Sequence, residues 1–155
     1  MTNIDIEKNV QEQSIELPKP VKALAAYEPV VVSGNELVVS GQLPLQNGAL
    51  LATGLVGLDI DIDLAQQVAE CCAKNVLGQV RETLGNLNRV KRLKKITVFV
   101  ASNGSFTDQH VVANGASLFF KKALLGAGEH ARSAIGVSAL PLNAPVEVEA
   151  IFEIK

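Results

Sequence analysis

Apolar and polar positions alternate with two different periods along this chain. From Leu64 to Leu84 the residues Leu64, Val68, Cys71 or Cys72, Val76, Val80 and Leu84 recur every three or four positions, which describes one buried stripe of a long helix. Its start falls near Asp61 or Asp63, the latter with Gln66 three residues on in the manner of a capping box, and Gly85 suits its C-cap. A second helix is predicted over about Asp108–Leu125, between Thr107 and Gly126. The shorter period marks strands. Pro29–Ser33 and Glu36–Ser40 flank the turn signal Ser33-Gly34-Asn35, and Gly48–Thr53 reads as a third short strand. Lys95–Ser102 carries the mostly apolar run Ile96-Thr97-Val98-Phe99-Val100, a strand for the middle of a sheet. Arg132–Ala139 and Val146–Ile154 close the chain. Residues 1–20 form a polar lead with Ile4, Ile6, Val10, Ile15 and Leu17 at spaced positions, which predicts a short helix stopped by Pro18. The order β-β-(β)-α-β-α-β-β argues for an α/β (α+β) sheet with both long helices on one face.

Composition narrows the class. With 155 residues the chain is expected to form one domain, over 21–155, behind an N-terminal extension of 1–20. The mean hydropathy is slightly positive, so more apolar surface is expected than one small monomer can hide, and self-assembly follows as an expectation. A net charge of −2 provides no global attraction to nucleic acid or to an anionic membrane. The first residues are polar and acidic, unlike a secretory signal, and no apolar run approaches membrane-span length, which points to a cytoplasmic protein. Cys71 and Cys72 are adjacent and point about 100° apart on a helix, so they read as small core or interface fillers and not as a disulfide or metal clip. His110 and His130 share no metal-like spacing with each other or with the cysteines, and neither a phosphate loop nor a Ser-His-Asp set is recognisable.

Two strands carry the candidate chemistry. On the first, Arg132 shares its face with Ala134, Gly136 and Ser138, so a permanently charged fork stands beside very small residues, as a pocket for a small carboxylate needs. The competing reading is a structural salt-bridge partner. On the second, Val146, Val148, Ala150, Phe152 and Ile154 form an apolar face, and Glu147, Glu149, Ile151 and Glu153 form the other. Those carboxylates are either a solvated face or the source of a group that works opposite Arg132. A simple hairpin of the last two strands would leave Arg132 about 20 Å from Glu147 at ~3.3 Å per residue. The two strands are therefore not direct neighbours, or Arg132 meets a carboxylate of another chain. Finally, Arg89-Val90-Lys91-Arg92-Leu93-Lys94-Lys95 holds five cations in seven residues, a run that can bind RNA phosphates but also reads as a solvated connector with Val90 and Leu93 at helical spacing.

The segment His130-Ala131-Arg132-Ser133-Ala134-Ile135-Gly136-Val137, with Leu140-Pro141 and Val146-Glu147-Val148-Glu149-Ala150, resembles the C-terminal signature of the RidA family, also called YjgF/YER057c/UK114. Tyr27 followed by Ser40-Gly41-Gln42-Leu43-Pro44, and Thr97-Val98-Phe99-Val100, agree with it in order and spacing, so the resemblance covers about residues 21–155. The longer N-terminus and the stretch Asn114-Gly115-Ala116-Ser117 ahead of Phe119-Phe120 look like a longer-chain branch.

The resemblance implies a chorismate-mutase-like sheet of about six strands and a homotrimer with its pockets at the clefts between subunits. It also implies an enamine/imine deaminase that turns 2-aminoacrylate-type intermediates into 2-keto acids and ammonia without a cofactor. Arg132 would bind the substrate carboxylate, and Glu147, matching the first glutamate of the family's V-E-I-E-A motif, would handle the proton. Tyr27, Ser40, Gly41, Ala134 and Asn114 would shape the pocket. His130 stands where many members have proline, and Ala134 replaces the family's cysteine, so no thiol chemistry is available there. The alternatives are a non-catalytic trimeric binder of small carboxylates and, less in keeping with an acidic chain poor in aromatics, an RNA binder or ribonuclease.

Overall fold

The computed structural model describes residues 4–20 and 26–155. The first residues of both the predicted extension and the predicted domain (1–3 and 21–25) lie outside them. Helix α1 (Ile6–Glu12) is short and amphipathic, with the Asp5 side chain capping the Lys8 N–H. It ends well before Pro18, because the chain turns at Ser14, whose φ is positive, and then lays Ile15 and Leu17 against the core. Strands β1 (Val30–Ser33) and β2 (Glu36–Gln42) form a hairpin around Gly34-Asn35. The third predicted strand is smaller than expected. It is a two-residue ladder of β3 (Leu45–Gln46) and β4 (Ala49–Leu50), closed by Asn47-Gly48, both at positive φ as a type I′ turn requires.

The long helices follow the apolar stripe closely. Helix α2 (Ile62–Leu84) begins at Asp61, whose carboxylate accepts from the Leu64 N–H, and ends at Gly85 in the left-handed region. Asp63 and Gln66 do not form a capping box. Gln66 reaches across instead and donates to the Val111 carbonyl of helix α3 (Gln109–Leu124). Gly115 is what allows the two helices to touch there, since a Cβ on it would run into the Gln66 carbonyl oxygen.

Strand β5 (Val90–Ala101) starts five residues before the predicted Lys95 and takes in the cationic segment except Arg89. Its burial repeats every three residues at Val90, Leu93 and Ile96, a spacing that looked helical. Irregularities in its pairing, between Val90 and Arg92 and between Leu93 and Lys95, insert the extra residue that returns the pleat to the same face. Strands β6 (Ala131–Val137) and β7 (Val146–Ile154) complete a five-stranded sheet in the order β1-β2-β7-β5-β6. Only β5 and β6 run parallel, with α3 as their crossover. The two last strands therefore lie on either side of β5 and are not a hairpin. Both long helices cover the face that carries Val146, Val148, Ala150, Phe152 and Ile154, as the alternation on β7 predicts.

The N-terminal helix belongs to the same core. Ile6 and Val10 are buried in it, and the Asn9 amide donates to the Lys122 and Ala123 carbonyls that α3 leaves unpaired at its end. Asn88 accepts from the Ile6 and Glu7 N–H groups at the other end of α1.

Gly115→Ala separates propensity from packing. In an open helix the change would stabilise by about 1 kcal/mol. Here thermal unfolding is expected to show a loss of about 1–3 kcal/mol as α3 is pushed off α2. A higher melting temperature would reject the tight crossing.

Candidate active site

Parallel pairing sets Arg132 beside Ile96, and Ile96 beside Ala150, so the arginine sits on the helix-covered face of the sheet, at its β6 edge. Its guanidinium is held by α3. Nη1 donates to Asn114 Oδ1 at 2.9 Å and to Ser117 Oγ at 3.2 Å, and Nη2 donates to the His110 carbonyl at 3.2 Å. Asn114 and Ser117 are three residues apart and share one flank of the helix. Among the described residues three of the five N–H donors are thereby used, which leaves one on Nε and one on Nη2. Those two can meet a carboxylate side-on, as two parallel charge-assisted hydrogen bonds. Ala134, two residues along the strand, packs against the core and adds no polar group.

Glu147 belongs to the other face. It pairs with Phe99, and Phe99 with Ile135, a row three residues away from that of Arg132 and so of opposite pleat. The carboxylate lies over Gly41, where any Cβ would collide with it. That close approach, at a glycine of ordinary φ, explains the residue type. Burial, and then the charge of Glu149, push the Glu147 carboxyl up from the usual carboxylate range. Ser40, next to Gly41, donates its hydroxyl to the Glu28 carbonyl at 2.8 Å and so ties the segment ahead of β1 to β2. Tyr27, on that segment, is 55% exposed.

The predicted residues thus fall into two half-sites. Arg132 and Asn114 meet on the helix side with Ala134 on the same strand face. Glu147 and Gly41 meet on the other face, with Ser40 beside them and Tyr27 on the segment that Ser40 anchors. The pleat of β5, β6 and β7 keeps Arg132 and Glu147 on opposite sides of the sheet within one chain. One further residue, Ser117, was not a site candidate from sequence. Ser117 was legible as the position one helical turn after Asn114. His130, which stands where many family members have proline, is half-buried with both ring nitrogens bonded, to Ser117 Oγ at 2.9 Å and to the Gly128 carbonyl at 2.6 Å.

Other candidates lose ground. In the cationic run, Lys91 pairs with Glu153 at 2.7 Å and Lys94 with Glu36 at 2.5 Å, so two of its charges are already met. Cys72 is buried, Cys71 half-buried, and burial raises the pKa of both thiols, as suits packing residues. Among the described residues no group of three or more His, Cys, Asp or Glu is placed to hold a metal ion, and no helix is long and apolar enough to cross a membrane. A groove of about 820 Å³ runs between the end of α1, α2 and α3, lined by Gln66, Glu70, Lys74 and Leu118 among others, and contains none of the predicted site residues.

Comparison with known proteins identifies the family and the fold. Residues 7–154 match the family described as "YjgF/chorismate mutase-like, putative endoribonuclease". Protein TCP17 of Trypanosoma cruzi is 42% identical over 150 residues, which are 96% of this chain and 94% of that one. The crystal structure of Atu1372 from Agrobacterium tumefaciens, a protein described as of unknown function, is 46% identical, with a TM-score of 0.90 over 97% of this chain and 92% of its own. That of E. coli TdcF with bound serine is 25% identical, with a TM-score of 0.64 over 88% of this chain and 94% of its own. The match runs through α1 and the whole sheet, and the chain belongs to the RidA/YjgF family.

Proposed function

We propose that this chain hydrolyses 2-imino acids, such as the imine form of 2-aminoacrylate, to 2-keto acids and ammonia. The observation that carries the reading is the guanidinium of Arg132, anchored through three hydrogen bonds with two donors left over. A carboxylate on that edge would be bound and oriented, each charge-assisted bond contributing about 1.5–3 kcal/mol. Glu147 would come from a second copy of the chain, since in one copy it lies on the opposite face. The exposed Val31, Val38 and Ile135 on that face support association of copies through the sheet.

In the reaction, water adds to the iminium carbon and gives its proton to the Glu147 carboxylate. Glu147 returns that proton to the carbinolamine nitrogen, the hydroxyl proton passes to the freed carboxylate as the C–N bond breaks and the carbonyl forms, and the released ammonia takes it away as ammonium. A carboxyl whose pKa is raised by burial and by Glu149 suits this double duty better than an ordinary glutamate. No redox or group-carrying cofactor is needed, because the iminium carbon is already electrophilic.

A second reading, a binder of small carboxylates without turnover, draws on TdcF, a relative whose structure holds serine. The two readings part at Glu147. Imine disappearance above the spontaneous rate, with 2-aminoacrylate generated in situ by a serine dehydratase, is expected for the wild type and abolished by Arg132→Ala. Glu147→Gln should cut turnover by about 10²–10⁴-fold while serine binding stays within a few fold. Full turnover by the glutamine variant would remove the acid–base role. No acceleration by the wild type would leave the binder.

The pH profile gives a further check. Glu147 acts first as a base, and its carboxyl is raised above the usual 4.5. Turnover should therefore fall on the acid side with an inflection above 4.5, and Glu147→Gln should lose that limb. An inflection at or below the ordinary value would contradict a buried base.

A further inference from the structure

We propose that His130 is a positioning residue for Arg132, acting through the Ser117 hydroxyl. The inference rests on the reading of Arg132 as the carboxylate grip, and it starts from the directions of the hydrogen bonds.

A carbonyl oxygen only accepts, so the 2.6 Å contact between His130 Nδ1 and the Gly128 carbonyl puts the ring proton on Nδ1. In the neutral ring Nε2 is then an acceptor, and the 2.9 Å contact with Ser117 Oγ is a bond donated by the hydroxyl. With its proton committed there, Ser117 Oγ offers lone pairs to Arg132 Nη1 at 3.2 Å. The chain Arg132 to Ser117 to His130 to Gly128 runs in one direction, and each donor meets an acceptor. Burial, helped by the charges of Lys121 and Arg132 and opposed by the Gly128 bond and by Glu129, lowers the His130 pKa and keeps the ring neutral.

The ring itself is fixed. It stands edge-on to the fully buried Phe120, with centroids 6.2 Å apart, and its carbonyl partner belongs to the tight turn that ends α3. Ser117 is 8% exposed, so water is a poor substitute for either partner. The imidazole thus sets which way the hydroxyl points, and the hydroxyl, with Asn114, sets the plane of the guanidinium and the direction of its two free N–H groups.

The experiment is ¹⁵N NMR of the His130 ring and of the Arg132 side chain in the full chain. Wild type is compared with His130→Phe, which keeps a ring against Phe120, with Ser117→Ala, and with the double variant. L-Serine and L-serinamide serve as probes of carboxylate binding. We expect the Nδ1–H tautomer in the wild type. The Arg132 resonances should shift in both single variants, with no additional shift in the double, because the two residues act in series. Serine affinity should fall about three- to tenfold in each, the worth of one hydrogen bond, while serinamide binding stays the same.

An Nε2–H tautomer in the wild type would overturn the proposal without recourse to any variant. So would Arg132 resonances that ignore His130→Phe in a folded protein, or additive effects in the double variant. If the wild type binds no serine but its Arg132 resonances follow His130, the carboxylate grip fails and the positioning link is upheld.

Discussion

The pleat of three neighbouring strands is the constraint on which the functional reading depends. Because β7 and β6 lie on opposite sides of β5, Ala150, Ile96 and Arg132 share one row and Glu147, Phe99 and Ile135 another. The rows are three residues apart, and three is odd, so side chains in them leave the sheet in opposite directions. The helix-covered side holds the arginine and the open side holds the glutamate. A single chain therefore carries two half-sites, each with its own support, and chemistry that needs both groups requires more than one copy.

The two half-sites are supported in different ways. Arg132 is set by the hydrogen bonds it donates to α3, and α3 is set by its close crossing over α2 at Gly115 and by the Asn9 amide at its far end. The N-terminal helix, which looked like an appendage, thus bears on the site through the helix it closes. Glu147 is set by steric fit over Gly41 and by burial, which favours its protonated form. A rigid, fully charged group on one side and a titratable, desolvated one on the other is the division of labour that binding a carboxylate and moving a proton require.

The cationic run shows how local pattern and tertiary context compete. Val90, Leu93 and Ile96 repeat every three residues, a helical spacing, yet they lie on one strand because irregular pairing restores the pleat at each step. Glu153 on the neighbouring β7 and Glu36 on β2, one strand further on, then neutralise Lys91 and Lys94. Nothing in the run itself announces those partners, since they arrive from about sixty residues away. By contrast, Asn47-Gly48 was a local hairpin signal that the apolar pattern around it obscured, because the paired strands are only two residues each.

The residue types alone determined the long helices, a start near Asp61 or Asp63 and a cap at Gly85 for the first of them, the inward face of β7 and the candidate Arg132. Each of these follows from a period, a backbone preference or a charge that needs no distant partner, whereas Glu147, Gly41 and Asn114 were named by their resemblance to the family's pattern. Which candidates meet was decided only by the tertiary structure. Strand order chooses the neighbours of a strand, and pleat parity chooses the side of the sheet, and neither is encoded within any one segment. The same holds for Ser117 and His130. They are thirteen residues apart, on a helix and at the start of a strand, and only the packing of α3 on the sheet brings a hydroxyl, an imidazole and a guanidinium into one hydrogen-bonded line.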